Sequence, residues 1–212
     1  MKVLAIGAHP DDIELGCGGL LLKAIKLGHE IFFFILTRGE AGQKVSSEED
    51  RESEAKQSAE TLGATLRFGE FEDTKLVPTG DLVNSIERIV NEVCPDLVLT
   101  HSIKDDHHDH RAVGSATIEA ARLSENIFTY ENPLTKDFVP QAYVDISDVI
   151  NGKIQLLNLY PSQRDKDYLK SNAIFGLAQY RALQSRIPNV KFAEAFQITK
   201  LRLFDHSLVF QL

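Results

Sequence analysis

The chain has 212 residues, 23 basic and 31 acidic, for a net charge of −8. At roughly 100–200 residues per domain this predicts one domain spanning 1–212, and 43% hydrophobic with 25% charged residues is the balance of an ordinary soluble fold. The acidic balance argues against a nucleic-acid or anionic-membrane partner, and a core of this size needs no disulfide or structural metal, so any metal site is expected to be functional.

Cys17 and Cys94 are the only cysteines and form no CxxC pair, which fits a reducing compartment. The opening MKVLAIGAHPDD carries an apolar run too short for a secretory leader, and no apolar span of roughly 18 residues occurs. The expectation is a cytoplasmic protein.

Val3–Gly7 is a nearly unbroken apolar run and predicts a strand buried on both faces, as in a parallel sheet. Ile13, Leu20, Ala24 and Leu27 then recur at helical spacing up to Gly28. Glu30–Thr37 predicts a second buried strand, Arg38–Ser47 a loop, and Glu48–Leu62 a charged helix ending at Gly63. Thr65–Phe68 predicts a third strand, Asp81–Val93 a helix stopped by Pro95, and Asp96–Thr100 a fourth strand. A His-rich loop and a helix from about Arg111 to Leu123 follow. Beyond that, Ile127–Glu131 and Ala142–Ile146 read as strands, Val149–Leu159 and Tyr168–Arg186 as helices, and Ala193–Phe204 as a late strand pair or extended segment. The alternation predicts an α/β sandwich with a mostly parallel sheet and right-handed crossovers.

In such a sheet, ligands bind at the carboxyl ends of the strands. After the first strand come His9-Pro10-Asp11-Asp12. After the fourth comes 101–110, which holds four of the seven histidines. His9 and Asp12 can point at a common centre across a proline that fixes one backbone angle. A helix cap at Asp11 or Asp12 would not explain the histidine. His107 and His110 can face one way if a helix starts near them. Taken together, His9, Asp12 and His110 are two histidines and a carboxylate, the composition of a catalytic zinc site with a position left open. The run Gly16-Cys17-Gly18-Gly19 is not GxGxxG and lies within the helix, so it is read as close helix–sheet packing.

AHPDDIELGCGG at Ala8–Gly19 and HHDHRA at His107–Ala112 resemble the paired signatures of the LmbE-like, or PIG-L, family of zinc-dependent de-N-acetylases. Further similarity lies at Arg51, Glu54-Ala55, Leu62-Gly63, Tyr130-Glu131, Val144–Ser147, Ser162-Gln163 and Ala193–Phe196, nearly the whole chain. His108 stands where the family often has proline. The resemblance implies a Rossmann-like three-layer fold and removal of an acetyl group from an N-acetylated amino sugar, a small-molecule partner. It implies His9, Asp12 and His110 as ligands of one zinc per chain, with another divalent metal such as iron as the alternative. It makes Asp11 the general base, His107 the group that stabilises the oxyanion as a cation, and Arg51 a residue near the substrate; assemblies of identical chains are common in the family. Asp109 can orient the His107 ring, cap the next helix or sit in solvent. Arg51 has two readings of its own: pairing with its acidic neighbours on a surface, or facing inward with Ala55, Ser58 and Leu62. Two other functions stay open, a metal-dependent phosphoesterase and a non-catalytic sugar- or nucleotide-binding module, since fold does not fix function.

Overall fold

In the computed structural model, which describes residues 1–42 and 50–202, the apolar runs become the strands of one sheet. The elements are β1 (Lys2–Gly7), α1 (Asp12–Lys26), β2 (Glu30–Ile35), α2 (Arg51–Leu62), β3 (Thr65–Phe68), α3 (Gly80–Val93), β4 (Leu97–His101), α4 (His108–Ala120), β5 (Ile127–Tyr130), β6 (Ala142–Asp145), α5 (Ile150–Leu157), α6 (Ser171–Ser185) and β7 (Ala193–Lys200). The strand order is β3-β2-β1-β4-β5-β7-β6, and only β7 runs against its neighbours. Alternate residues of β1 serve opposite faces. Val3 and Ala5 enter the core beneath α1, α2, α5 and α6, whereas Leu4 and Ile6 join the core beneath α3 and α4. The result is the Rossmann-like three-layer α/β sandwich. Strand order reverses between β1 and β4, and the crevice of an open parallel sheet forms at such a reversal, outside the strands' carboxyl ends. The two signature loops leave from those two ends.

The glycine run does more than allow close packing. A Cβ on Gly16 would lie 2.1 Å from the Tyr130 ring, whose hydroxyl donates to the Ile6 carbonyl at 2.7 Å. The backbone of Cys17 is also non-helical (φ −142°), so α1 breaks there. The break frees backbone groups that a buried ion pair then satisfies. Glu194 accepts from the N–H groups of Gly19 and Leu20, and Lys153 donates to the Leu15 carbonyl and to Glu194, each at 2.7 Å.

Local chemistry moves several boundaries. The second helix begins at Arg51 because the Asp50 side chain accepts from the N–H of Glu52; Glu48 and Glu49 lie outside the described residues. The fourth starts at His108 rather than Arg111, because the His107 ring accepts from the N–H of Asp109 and caps it. The predicted Tyr168–Arg186 helix begins at Ser171 and follows two 3-10 turns, Pro161–Gln163 and Asp167–Leu169. Ala193–Lys200 is one strand inserted between β5 and β6; Leu203 and Phe204 lie outside the described residues. No described helix is long and apolar enough to cross a membrane.

Gly16→Ala should lower stability by about 1–3 kcal/mol, because the added methyl must displace a packed aromatic ring or the helix. Equilibrium urea unfolding measures this, and an unchanged midpoint would mean the ring has room to move.

Candidate active site

The first signature loop is held from three sides. The Thr37 hydroxyl donates to the Ala8 carbonyl (2.9 Å), and the Ala8 N–H donates to His101 Nε2 (3.0 Å). Arg51 Nη2 reaches the Pro10 carbonyl at 2.6 Å, and Nη1 reaches the Gly39 carbonyl at 3.0 Å. Between these anchors Asp11 sits at φ 94°, in the left-handed region that costs a non-glycine residue roughly 1–3 kcal/mol. Asp11 occupies the N-cap position of α1, yet its side chain caps nothing. Its carboxylate is buried 3.3 Å from Arg51 Nη2. The Asp12 side chain instead accepts from the N–H of His9 at 2.8 Å.

The three expected ligands meet. His9 Nδ1 lies 3.3 Å from His110 Nε2 and 3.3 Å from Asp12 Oδ2, and His110 Nε2 lies 3.2 Å from Asp12 Oδ1. Atoms 2.0–2.1 Å from a tetrahedral centre stand roughly 3.3–3.4 Å apart, so the spacing fits zinc. For His9, the outer contacts fix the tautomer that such a centre needs. His9 Nε2 faces Asp73 (2.9 Å) and Asp109 (3.1 Å), which leaves the Nδ1 lone pair for the centre. His110 Nδ1 lies 3.2 Å from Asp105 Oδ1 without an aligned hydrogen bond, and its Nε2 lies toward His9 and Asp12. His101 also lies near Asp12 and His110, but the Ala8 N–H occupies its Nε2 lone pair, so it serves as a support.

Asp109 therefore does not hold the ring of His107. Its oxygens go to His9, to His108 and to the N–H groups of Thr74 and Leu76, while only its backbone N–H reaches His107 Nδ1. That contact makes His107 Nδ1 an acceptor and puts the ring proton on Nε2. Burial, with His110 and His9 beside it, also pushes the His107 pKa down. Arg51 is inward-facing and buried, and three of its contacts go to Pro10, Gly39 and Asp11.

The other charges are set by their neighbours. Burial raises Asp11 to about 7, although Arg51 opposes the rise. Burial alone would raise Asp12, but His110 and His101 hold it well below the carboxylate range. Burial alone would lower His110, but Asp12 and Asp105 carry it up to about 9. His101 falls to about 4 through burial and the charge of His110.

The site opens into a cleft of about 480 Å³. Asp105, from the His-rich segment, and Gln163, from the Ser162-Gln163 similarity, line it together with the expected residues; Asp73, Asn132 and Tyr168 also line it and have no reading as site residues in the sequence. Asp73 and Asn132 follow β3 and β5, so reading every carboxyl-end loop would have reached them. Tyr168 follows a helix and carries no such signal.

Fold and site together define an α/β protein with a candidate single-metal centre at the sheet's switch point. The family described as GlcNAc-PI de-N-acetylase (PIG-L) matches residues 4–121, and the chain belongs to it. The chain is 35% identical to the uncharacterised deacetylase YaiS of Escherichia coli, a match covering 69% of this chain and 82% of that one. It is 30% identical to the diacetylchitobiose deacetylase of Thermococcus kodakarensis, across 82% of this chain and 77% of that one. The crystal structure of GalB, a 4-carboxy-2-hydroxymuconate hydratase from Pseudomonas putida, shares the fold with a TM-score of 0.82 at 21% identity, covering 96% and 98% of the two chains.

In the metal-free protein, His110 should titrate near 9 and His101 near 4, measured by NMR of the histidine rings. The folded pKa of His110 is raised above its ordinary 6.5. The stability it contributes is thus complete below about 6.5 and is lost as pH rises through 9. Coincident titration of the two rings near 6.5 would contradict the arrangement.

Proposed function

We propose that the chain is a metal-dependent N-deacetylase acting on an N-acetylated amino sugar carried on a larger conjugate. One observation carries the reading. Three lone-pair donors converge on one centre, and beside them sits a fourth group, Asp11, buried, raised to about 7 and turned to Arg51 rather than to the centre. A binding module has no use for an uncommitted base there. The names of the relatives, deacetylases among them, support the reaction class.

His9, Asp12 and His110 would hold one zinc ion, with iron as the alternative, which when bound supplies Lewis acidity toward the amide carbonyl and lowers the pKa of water. Asp11 takes the proton of the attacking water on its carboxylate and later delivers it to the departing amine nitrogen. A base with a pKa near the working pH suits both transfers. Arg51 keeps Asp11 in its strained backbone conformation and pointed at the cleft. His107 Nε2–H donates to the carbonyl oxygen as negative charge develops on it. His9 is kept as a donor by Asp109 and Asp73, which take its outer ring nitrogen, and Asp105 lies beside that of His110. A phosphoesterase using two bridged metals needs a second full set of ligands. Here His101 is spent on Ala8, and Asp105 on His110 and on the Thr135 hydroxyl.

Metal analysis should give one ion per chain in the wild type and little in His110→Ala. Undiminished metal in that variant would take His110 out of the site.

Incubated with zinc, the wild type should release acetate from N-acetylglucosamine conjugates such as N,N′-diacetylchitobiose. Asp11→Asn should keep its metal and lose ~10²–10⁴-fold in turnover, the range of general acid–base catalysis. A metal-loaded wild type that frees no acetate but hydrates an unsaturated acid would replace this reading with a hydratase. Full turnover in Asp11→Asn would move the base elsewhere.

A further inference from the structure

We propose that Tyr168 contacts the substrate, its phenol donating a hydrogen bond to a hydroxyl of the amino sugar beside the Asp11–Arg51 pair. The inference rests on the deacetylase reading above and adds a residue that recognises the sugar.

The hydroxyls of Tyr130, Tyr160 and Tyr180 each find a partner inside the protein: the Ile6 carbonyl, Glu14 and Gln184. The hydroxyl of Tyr168 makes no hydrogen bond among the described residues, although the ring is half-buried and packs against the core. The side chain lines the cleft with Asp11, Asp12 and Arg51. A half-buried phenol facing a cleft without a partner is a donor waiting for one.

Its position is fixed. Glu54, on the same helix as Arg51, accepts from both the N–H (2.8 Å) and the hydroxyl (2.6 Å) of Ser162. Gln163 Nε2 reaches the Gly42 carbonyl, and the turn at Asp167–Leu169 closes through Leu169 N–H to the Lys166 carbonyl. The segment carrying Tyr168 is thereby tied to the helix that carries Arg51. A donor held this way is pre-organised for its acceptor.

The neighbouring chemistry selects the acceptor. Asp11, Asp12 and Asp73 give this part of the cleft an excess of acceptors. A sugar hydroxyl can donate to a carboxylate but also needs a donor for its own oxygen. The donors of Arg51 go largely to Pro10, Gly39 and Asp11, and of the two other donors on this wall, Lys166 is exposed whereas the phenol of Tyr168 is half-buried and held in place. Burial and the charges of Asp11 and Asp12 push the Tyr168 pKa far up, so it stays a neutral donor across the working range. The ring also offers an apolar face to the sugar.

Tyr168→Phe removes only the hydroxyl. Metal content and folding should match the wild type, and kcat/KM for acetate release should fall about 2–13-fold, the size of one neutral hydrogen bond. The loss should lie in KM with kcat nearly unchanged, since a sugar contact is made equally in ground and transition states. A second readout is free of turnover. The chain has five tyrosines, so Tyr168 can be assigned in protein labelled with ¹³C at tyrosine Cζ as the resonance missing from Tyr168→Phe. That resonance should move on titration with N-acetylglucosamine. A wild-type KM in the variant, a loss confined to kcat, or a Tyr168 resonance that stays still while the sugar binds would each overturn the proposal while leaving the deacetylase reading intact. A metal-loaded wild type that neither binds N-acetylglucosamine nor releases acetate overturns both.

Discussion

Asp109 is fully buried, and its two oxygens meet the ring of His9, the backbone N–H groups of Thr74 and Leu76, and the ring of the adjacent His108. Its own backbone N–H engages the ring of His107. One carboxylate thus joins the loop after β1, the loop after β3 and the first turn of α4. A buried carboxylate tolerates this environment only when its lone pairs are occupied, and here they are. Because it takes His9 Nε2, it decides which nitrogen of that ring is free. The orientation of the candidate centre follows from that choice.

The charges around the centre are arranged as alternating pairs. Asp12, Asp73, Asp105 and Asp109 surround two imidazoles, and the imidazoles hold protons well above their ordinary pKa as a result. Several carboxylates this close together need compensating positive charge, and in the metal-free protein those protons supply it. A divalent cation must displace them, so its affinity depends on pH as well as on shape.

Much of this was legible in the sequence because the information is local. Unbroken apolar runs identify parallel strands, and His9, Asp12, His107 and His110 lie in two short loops directly after two of them. Both loops follow the carboxyl ends of their strands, which places them on one edge of the sheet. What stayed hidden depends on pairings across the chain. Asp109 sits two residues from His107, so sequence distance favoured the wrong ring; the closer partner in space is His9, 100 positions earlier. Arg51 among four glutamates and an aspartate looks like a surface residue until the loop after β1 folds over it. The insertion of β7 between β5 and β6 has no signature in the strand itself, since its neighbours are set by pairings with segments distant in the sequence.

The break in α1 ties the site to the far end of the chain. All three expected ligands lie within the first 110 residues, and the family match closes at 121. The first half of α1, which carries Asp12, ends in a carbonyl satisfied by Lys153, and the second half begins at N–H groups satisfied by Glu194. During synthesis the ligand loops therefore emerge long before the residues that fix the helix beneath them. A nascent chain that holds both paired signatures, through Ala112, still lacks Tyr130, which fills the space beside Gly16, and the Lys153–Glu194 pair that completes α1. The helix that carries Asp12 is thus completed only after Glu194 has been made.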